Sequence, residues 1–183
     1  MAFTSNTTYG TTAYNTGTFY DQSKLVANDG SSLSSATLAT QSDLSIPLGG
    51  YERIVGVYTI WYDTDNTNEF SYRVANLAQS DGSTAVATTI ATQSIASDAV
   101  ITSDATPTAA GVESTGTYST NGAGITVGID VGADTAALFL QVTFNALSTA
   151  ATKGNLVFQA ANITGSAAGT HLLAGSHVVY KKF

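Results

Sequence analysis

The sequence predicts an all-β fold, a two-sheet antiparallel β-sandwich with jelly-roll-like winding and an extended N-terminal arm. Three observations predict it. Threonine, serine, alanine and glycine make up roughly half of the 183 residues, with β-branched threonine the most abundant and helix formers scarce. Apolar residues alternate with polar ones in short runs separated by turn-forming residues. No stretch of ordinary helix length carries an amphipathic helical period.

In chain order, Met1 to Gln41 is polar yet dotted with Phe3, Tyr9, Tyr14, Phe19 and Tyr20. A freely disordered linker carries fewer aromatics. This stretch reads either as an arm docked on a body or neighbour, or as a first, irregular set of strands. The body is expected over 42–183. Leu44, Ile46 and Leu48 alternate, with Pro47 marking an edge strand or strand end.

Tyr51 to Asp63 is the strongest strand, with Ile54, Tyr58, Ile60 and Tyr62 on one face and Val55, Val57 and Trp61 on the other. Apolar residues on both faces predict a central strand covered on both sides or at a subunit contact. Asp63 to Asn68 is turn chemistry, and Phe70, Tyr72 and Val74 alternate after it, so the two runs read as a β-hairpin.

Weaker strands follow at Ala85 to Thr92 and Ala99 to Ser103, and a polar, edge-like one at Gly111 to Tyr118. Ile125, Val127 and Ile129 alternate, then Leu138, Leu140, Val142 and Phe144 fill one face of a strand. Ala146 to Lys153 reads as one helical turn or a loop. Leu156 and Phe158 mark a short strand, and His171 to Tyr180 closes the pattern. No repeat of fixed period emerges.

Thirteen acids against six bases give a net charge of -7. Only Lys181 and Lys182 are adjacent among the bases, so neither nucleic acid nor an anionic membrane is expected as a partner. The absence of cysteine excludes a disulfide, a thiol nucleophile and a zinc–thiolate site. No secretory signal is recognisable, and the longest apolar run, Ile54 to Tyr62, is much shorter than the roughly 20 residues of a bilayer-spanning helix. Synthesis in the cytosol is expected.

Candidate chemistry is sparse. Asp63, Asp65, Asn66, Asn68 and Glu69 place oxygen ligands close together, as calcium loops do, but the sharp-turn glycine and the far glutamate are missing. Turn residues bonding their own backbone account for that run. His171 and His177 lie about 20 Å apart on an extended strand and share a metal only if Gly175 bends the chain. Gly165 to Gly169 lacks the spacing of a nucleophile elbow, and Gly122-Ala-Gly124 lacks a third glycine and a following helix. Glu52, Glu69 and Glu113 with ten aspartates supply carboxylates, but no setting that raises a pKa. An enzyme is not expected, and no catalytic residue, cofactor or metal is assigned.

The segment YERIVGVYTIWYDTDNTNEFSYRVA resembles a strand-turn-strand unit of small virion proteins of tailed bacteriophages, notably marine ones. The unit has an aromatic-aliphatic strand, a W/Y-Y-D-T turn and an aromatic strand carrying an arginine. The stretch LFLQVTFNALSTAATKGNLVFQAANITGSAAGTHLLAGSHVVYKK resembles their closing pattern, an L-x-L-Q strand leading through N-L-x-F-Q-A-A to an A-G-S-x-x strand. Together these cover Tyr51 to Val74 and Ala137 to Tyr180.

The resemblance implies a β-sandwich that assembles on a symmetric lattice, often as a trimer, and transfers no catalytic residue. The expected role is a capsid decoration, or cement, protein on the outer capsid surface of a virion, binding the major capsid protein lattice and itself as a homotrimer. The alternative is a tail or fibre β-sandwich that binds host-surface glycan through exposed tyrosine and tryptophan beside aspartate and asparagine.

Overall fold

The computed structural model describes residues 5–8, 11–14, 20, 22–30, 33, 35–63, 70–96, 99–103, 106–107, 113–119, 126–131, 138–162 and 170–183. The strands are β1 (Ser5–Thr8), β2 (Thr11–Tyr14), β3 (Gln22–Leu25), β4 (Ala39–Thr40), β5 (Ile46–Leu48), β6 (Arg53–Asp63), β7 (Phe70–Ala78), β8 (Thr88–Ala96), β9 (Ala99–Ser103) and β10 (Thr106–Pro107). They continue as β11 (Glu113–Ser119), β12 (Thr126–Val131), β13 (Leu138–Ser148), β14 (Gly154–Asn162), β15 (His171–Leu172) and β16 (His177–Lys182). The one helical element among the described residues is a single 3-10 turn, Ser42–Leu44.

Two antiparallel sheets pack face to face as an all-β sandwich. The larger runs β1-β2-β3-β16-β6-β13-β8-β11, with β15 also on β6. The smaller runs β10-β9-β12-β7-β14-β4, with β5 also on β14. The pairings β6·β16, β7·β14, β8·β13 and β9·β12 nest one inside the next and alternate between the sheets. A long hairpin rolled up on itself has this order, which is the winding of a jelly roll. The pairings β6·β13 and β7·β12 join neighbouring rungs within each sheet.

Period-two alternation builds the core. Ile54, Tyr58, Ile60 and Tyr62 on β6, and Leu140, Val142, Phe144 and Ala146 on β13, turn inward and are buried. They meet Phe70, Tyr72 and Val74 of β7 and Leu156, Phe158 and Ala160 of β14. Across the interior Tyr58 lies 5.3 Å from Phe158 between ring centroids. Tyr62 stacks on Phe70 at 4.4 Å. Within its own sheet Tyr58 packs 4.9 Å from Phe144. Polar side chains also bridge β7 and β8 across the layers: Tyr72 bonds Ser94, and Asn76 Nδ2 donates to Thr88 Oγ1 at 2.7 Å.

The hairpin expected from Tyr51 to Val74 does not form. β6 lies in the larger sheet and β7 in the smaller, so the chain changes layer between Asp63 and Phe70. Two strands of one hairpin share a face and need an opposing layer. Here each strand supplies the opposing layer for the other, as the Tyr62–Phe70 stack shows.

The strand covered on both sides is also a different one. β6 buries only its inward face, and its other face is half-buried to exposed. β7 is buried on nearly every residue, and Ala75, Leu77 and Val157 form a second small apolar cluster on the far side of its sheet.

Other expectations meet short edges and longer strands. Pro47 sits in β5, a three-residue strand bonded to β14 alone. β14 runs nine residues where Leu156 and Phe158 marked a short one. β13 carries on to Ser148, so strand occupies the start of the Ala146 to Lys153 stretch and bends its remainder. Glu113–Ser119 ends the larger sheet as an edge.

Within Met1 to Gln41, β3 pairs with β16 and β4 with β14, Val26 enters the core and Leu33 packs against it. The side chains of Phe3, Tyr9, Tyr14 and Phe19 lie outside the described residues. Lys24 of β3 and Lys182 of β16 donate their ammonium groups to the carbonyls of Ser45 and Pro47, tying the β5 segment to the larger sheet. Burial holds the Lys24 ammonium below its usual range, against the opposing pull of Asp43.

Candidate interaction face

The outward face of the larger sheet carries the exposed apolar side chains. Among the described residues the large exposed hydrophobics are Leu25 (50%), Tyr51 (69%), Trp61 (39%), Leu147 (41%) and Phe183 (59%). Leu25, Trp61 and Leu147 project outward from β3, β6 and β13, and Tyr51 and Phe183 flank the start of β6 and the end of β16. Single exposed hydrophobics are ordinary, but their collection on one face is not.

Register sorts this face into cross-strand rows. Leu147 faces Arg53, and Phe183 exchanges both backbone hydrogen bonds with Arg53. Thr143, Val57 and Val179 form a central row. Gln141, Thr59, His177 and Leu25 form the next, and then Phe139 faces Trp61. Asp63 and His171 form the last. A shallow depression of about 290 Å3 lies beside the central row, lined by Val55, Ala91, Gln93, Thr143 and Asn145.

The two ends of the face differ in chemistry. At one, the Arg53 guanidinium lies 6.0 Å and the Lys181 ammonium 5.7 Å from the centre of the Phe183 ring, within cation–π reach. Arg53 also donates to Asn145 at 2.9 Å. Tyr51, two residues before Arg53 in the chain, has φ at +57°, a left-handed backbone that bulky residues rarely adopt.

The other end is aromatic and nearly neutral. Trp61 and Phe139 lie 5.2 Å apart between ring centroids. Ser176 Oγ accepts from the Trp61 N–H at 2.9 Å and donates to its carbonyl at 3.1 Å. Asp63 Oδ1 accepts from both the backbone N–H and Nδ1 of His171, each at 2.9 Å. His177 Nδ1 donates to the Gly175 carbonyl at 2.9 Å. Asp63 is the acid among the outward positions of β6, and the exposed Asp29 carboxylate accepts from the Ala174 N–H at 2.8 Å in the turn beside Trp61.

The sequence candidates fall as follows. Of the proposed calcium loop only Asp63 is described, and its carboxylate is engaged by His171; Asp65, Asn66, Asn68 and Glu69 lie outside the described residues. Among the described residues no three acids or histidines gather to hold a metal ion. His171 and His177 lie on separate strands, because the chain turns at Gly175, whose φ of +92° suits glycine.

Glu52 is spent on local structure, accepting from the Gly49 N–H at 2.6 Å and lying 3.4 Å from Lys182 Nζ. The side chains of Glu69 and Glu113 lie outside the described residues, as do Gly122 to Gly124 and Gly165 to Gly169. A second, polar cleft of about 290 Å3 includes Asn28, Asp29, Gln41 and Asp43 in its lining.

Sequence reading missed both the Ser176 contact and the Asp63–His171 pair. Each joins residues more than 100 positions apart, and neither a lone serine nor a lone histidine carries a local signal of such a partner.

No protein-family model matches this chain, and no curated protein or solved structure matches it either.

Proposed function

We propose that this chain is a non-enzymatic virion structural protein, a capsid decoration protein that binds the major capsid protein lattice and stabilises it. The observation that carries the reading is the end of the face where Leu147 and Phe183 expose apolar surface beside Arg53 and Lys181. An acidic protein of net charge -7 has here a surface of aromatic rings and cations with which to approach another protein.

The strained Tyr51 supports the same reading. Holding a bulky residue in left-handed backbone costs roughly 1–2 kcal/mol, and such costs concentrate at working surfaces. The small-residue sandwich and the strand-turn-strand resemblance to phage virion proteins add to it. The role is mechanical: many copies, each a homotrimer, clamp neighbouring capsid subunits on the outer surface against internal pressure.

Cryo-electron microscopy of particles containing this chain tests the reading. Density in lattice multiples on the capsid supports it, and density confined to the tail, or absence from the particle, overturns it. With purified components, Leu147→Asp and Phe183→Asp should each lower co-sedimentation with capsids at least tenfold while the unfolding transition stays in place. Retention at the unsubstituted level would remove this end from the contact.

A further inference from the structure

The Trp61 end of the face lies eight residues along β6 from Arg53, about 27 Å away in an extended strand, and its chemistry asks for a different occupant. We infer that Trp61 is the floor of a binding site for a neutral sugar ring. The inference stands apart from capsid decoration, since neither end needs the other.

The floor is flat and held in place. Ser176 fixes the Trp61 backbone, Phe139 packs against the indole at a tilt, and Gly175 runs beside it, close enough that a Cβ there would reach van der Waals contact with Trp61 Cδ1 at 4.0 Å. An indole face carries partial negative charge, and the axial C–H face of a pyranose is apolar with partial positive charge, so the two stack favourably.

The rims are polar and in register. Outward positions on β6 recur every two residues, so a row of hydrogen-bonding groups lies about 7 Å to each side of Trp61. One row offers Gln141, Thr59 and His177, and the other His171. The Nδ1 of each histidine donates to an oxygen, Asp63 for His171 and the Gly175 carbonyl for His177, which leaves Nε2 as the second hydrogen-bonding atom of each ring. Equatorial hydroxyls, which both donate and accept, match these groups.

Other ligand classes fit less well. An apolar protein surface laid here would bury Gln141, Thr59 and two imidazole nitrogens without partners, and a buried polar group left unpaired keeps its full desolvation penalty. An anion would meet the Asp63 carboxylate. A cation would find that carboxylate already accepting two hydrogen bonds from His171.

Trp61 is the only tryptophan, so its fluorescence reports this site alone. Titrating the whole chain with the methyl glycosides of glucose, galactose, mannose and N-acetylglucosamine should give a saturable change in emission with at least one of them, in the millimolar range. Calorimetry with that glycoside should show binding lost in Trp61→Ala and weakened about tenfold in Gln141→Ala, the worth of about one hydrogen bond. Both variants should keep far-ultraviolet circular dichroism and capsid co-sedimentation unchanged.

Three results would each overturn the site: no saturable change with any of the four glycosides, heat of binding that survives Trp61→Ala, or emission that shifts with protein concentration alone, which would mean that a second copy covers the indole. None of these touches the capsid reading, which Leu147→Asp and Phe183→Asp test separately.

Discussion

Ser176 Oγ satisfies both backbone groups of Trp61, accepting from its N–H and donating to its carbonyl. One hydroxyl thus does what two ladder bonds would do at the point where β16 breaks away from β6. The surrounding turn is tied on both sides: Leu173 N–H reaches the Trp61 carbonyl at 2.8 Å, and Val26 N–H reaches the Ser176 carbonyl at 2.8 Å.

Replacing Ser176 with alanine therefore leaves the Trp61 N–H without its acceptor, while the carbonyl keeps Leu173. A loss of about 1–2 kcal/mol in urea denaturation is expected, with a red-shifted Trp61 emission as the indole loosens. An unchanged midpoint and spectrum would show that the hydroxyl does not hold the strand.

Gly56 lies on the inward face of β6, beneath aromatic rings. A Cβ there would sit 2.5 Å from both Phe144 Cζ and the Val179 carbonyl, and 2.8 Å from Tyr180 Cβ. Because one of those atoms is backbone in the paired strand, the clash cannot be relieved by a rotamer change alone. Gly56→Ala should cost at least the 1–3 kcal/mol usual for overpacking, read as a lowered melting temperature. A neutral substitution would mean that β6 and β16 can move apart.

Gly154 makes a similar approach to a polar group. Its Cβ would fall 2.1 Å from Asn76 Oδ1, in the buried layer where Asn76 Nδ2 bonds Thr88. Gly154→Ala should push the amide off Thr88 and lower stability by about 2 kcal/mol or more. In Gly154→Ala/Asn76→Ala the penalty of the alanine at 154 should shrink, and additive losses in this double-mutant cycle would sink the explanation.

Burial raises the hydroxyl pKa of Tyr58 and Tyr62 well above the ordinary phenol value and pushes that of Tyr72 up to about 12, against the lowering effect of its Ser94 bond. The folded state holds these protons after the unfolded chain, titrating near 10, has released them. Stability is whole below pH 10 and falls as pH rises from 10 toward 12, by roughly 1.4 kcal/mol per pH unit for each such tyrosine. Tyrosinate absorbance should therefore rise together with unfolding in that window. Ionisation of these residues with the fold intact at pH 10 would contradict the burial argument.

Tyr51 should trade stability against binding. Asparagine tolerates left-handed backbone, so Tyr51→Asn should raise stability by up to about 1 kcal/mol and weaken capsid co-sedimentation. A rise in stability with undiminished capsid binding would separate the strain from the contact.

Local alternation marked most of the long strands and the inward side chains of the best ones, though not where every strand ends: β13 runs on to Ser148, and the closing run splits into β15 and β16. Ile54, Tyr58, Ile60 and Tyr62, and likewise Leu140, Val142 and Phe144, are buried as their alternation required, because a pleated chain sends every second side chain to the same face. Tertiary structure alone decided partnership. β6 bonds β13 and β16, far along the chain, rather than β7, because turn residues such as Asp63 and Asn68 specify a change of direction and not the layer the next strand joins. The same long-range pairing left Trp61 on an open face and brought Asp63 to His171. Those relationships depend on which strands lie side by side, and local alternation carries no information about that.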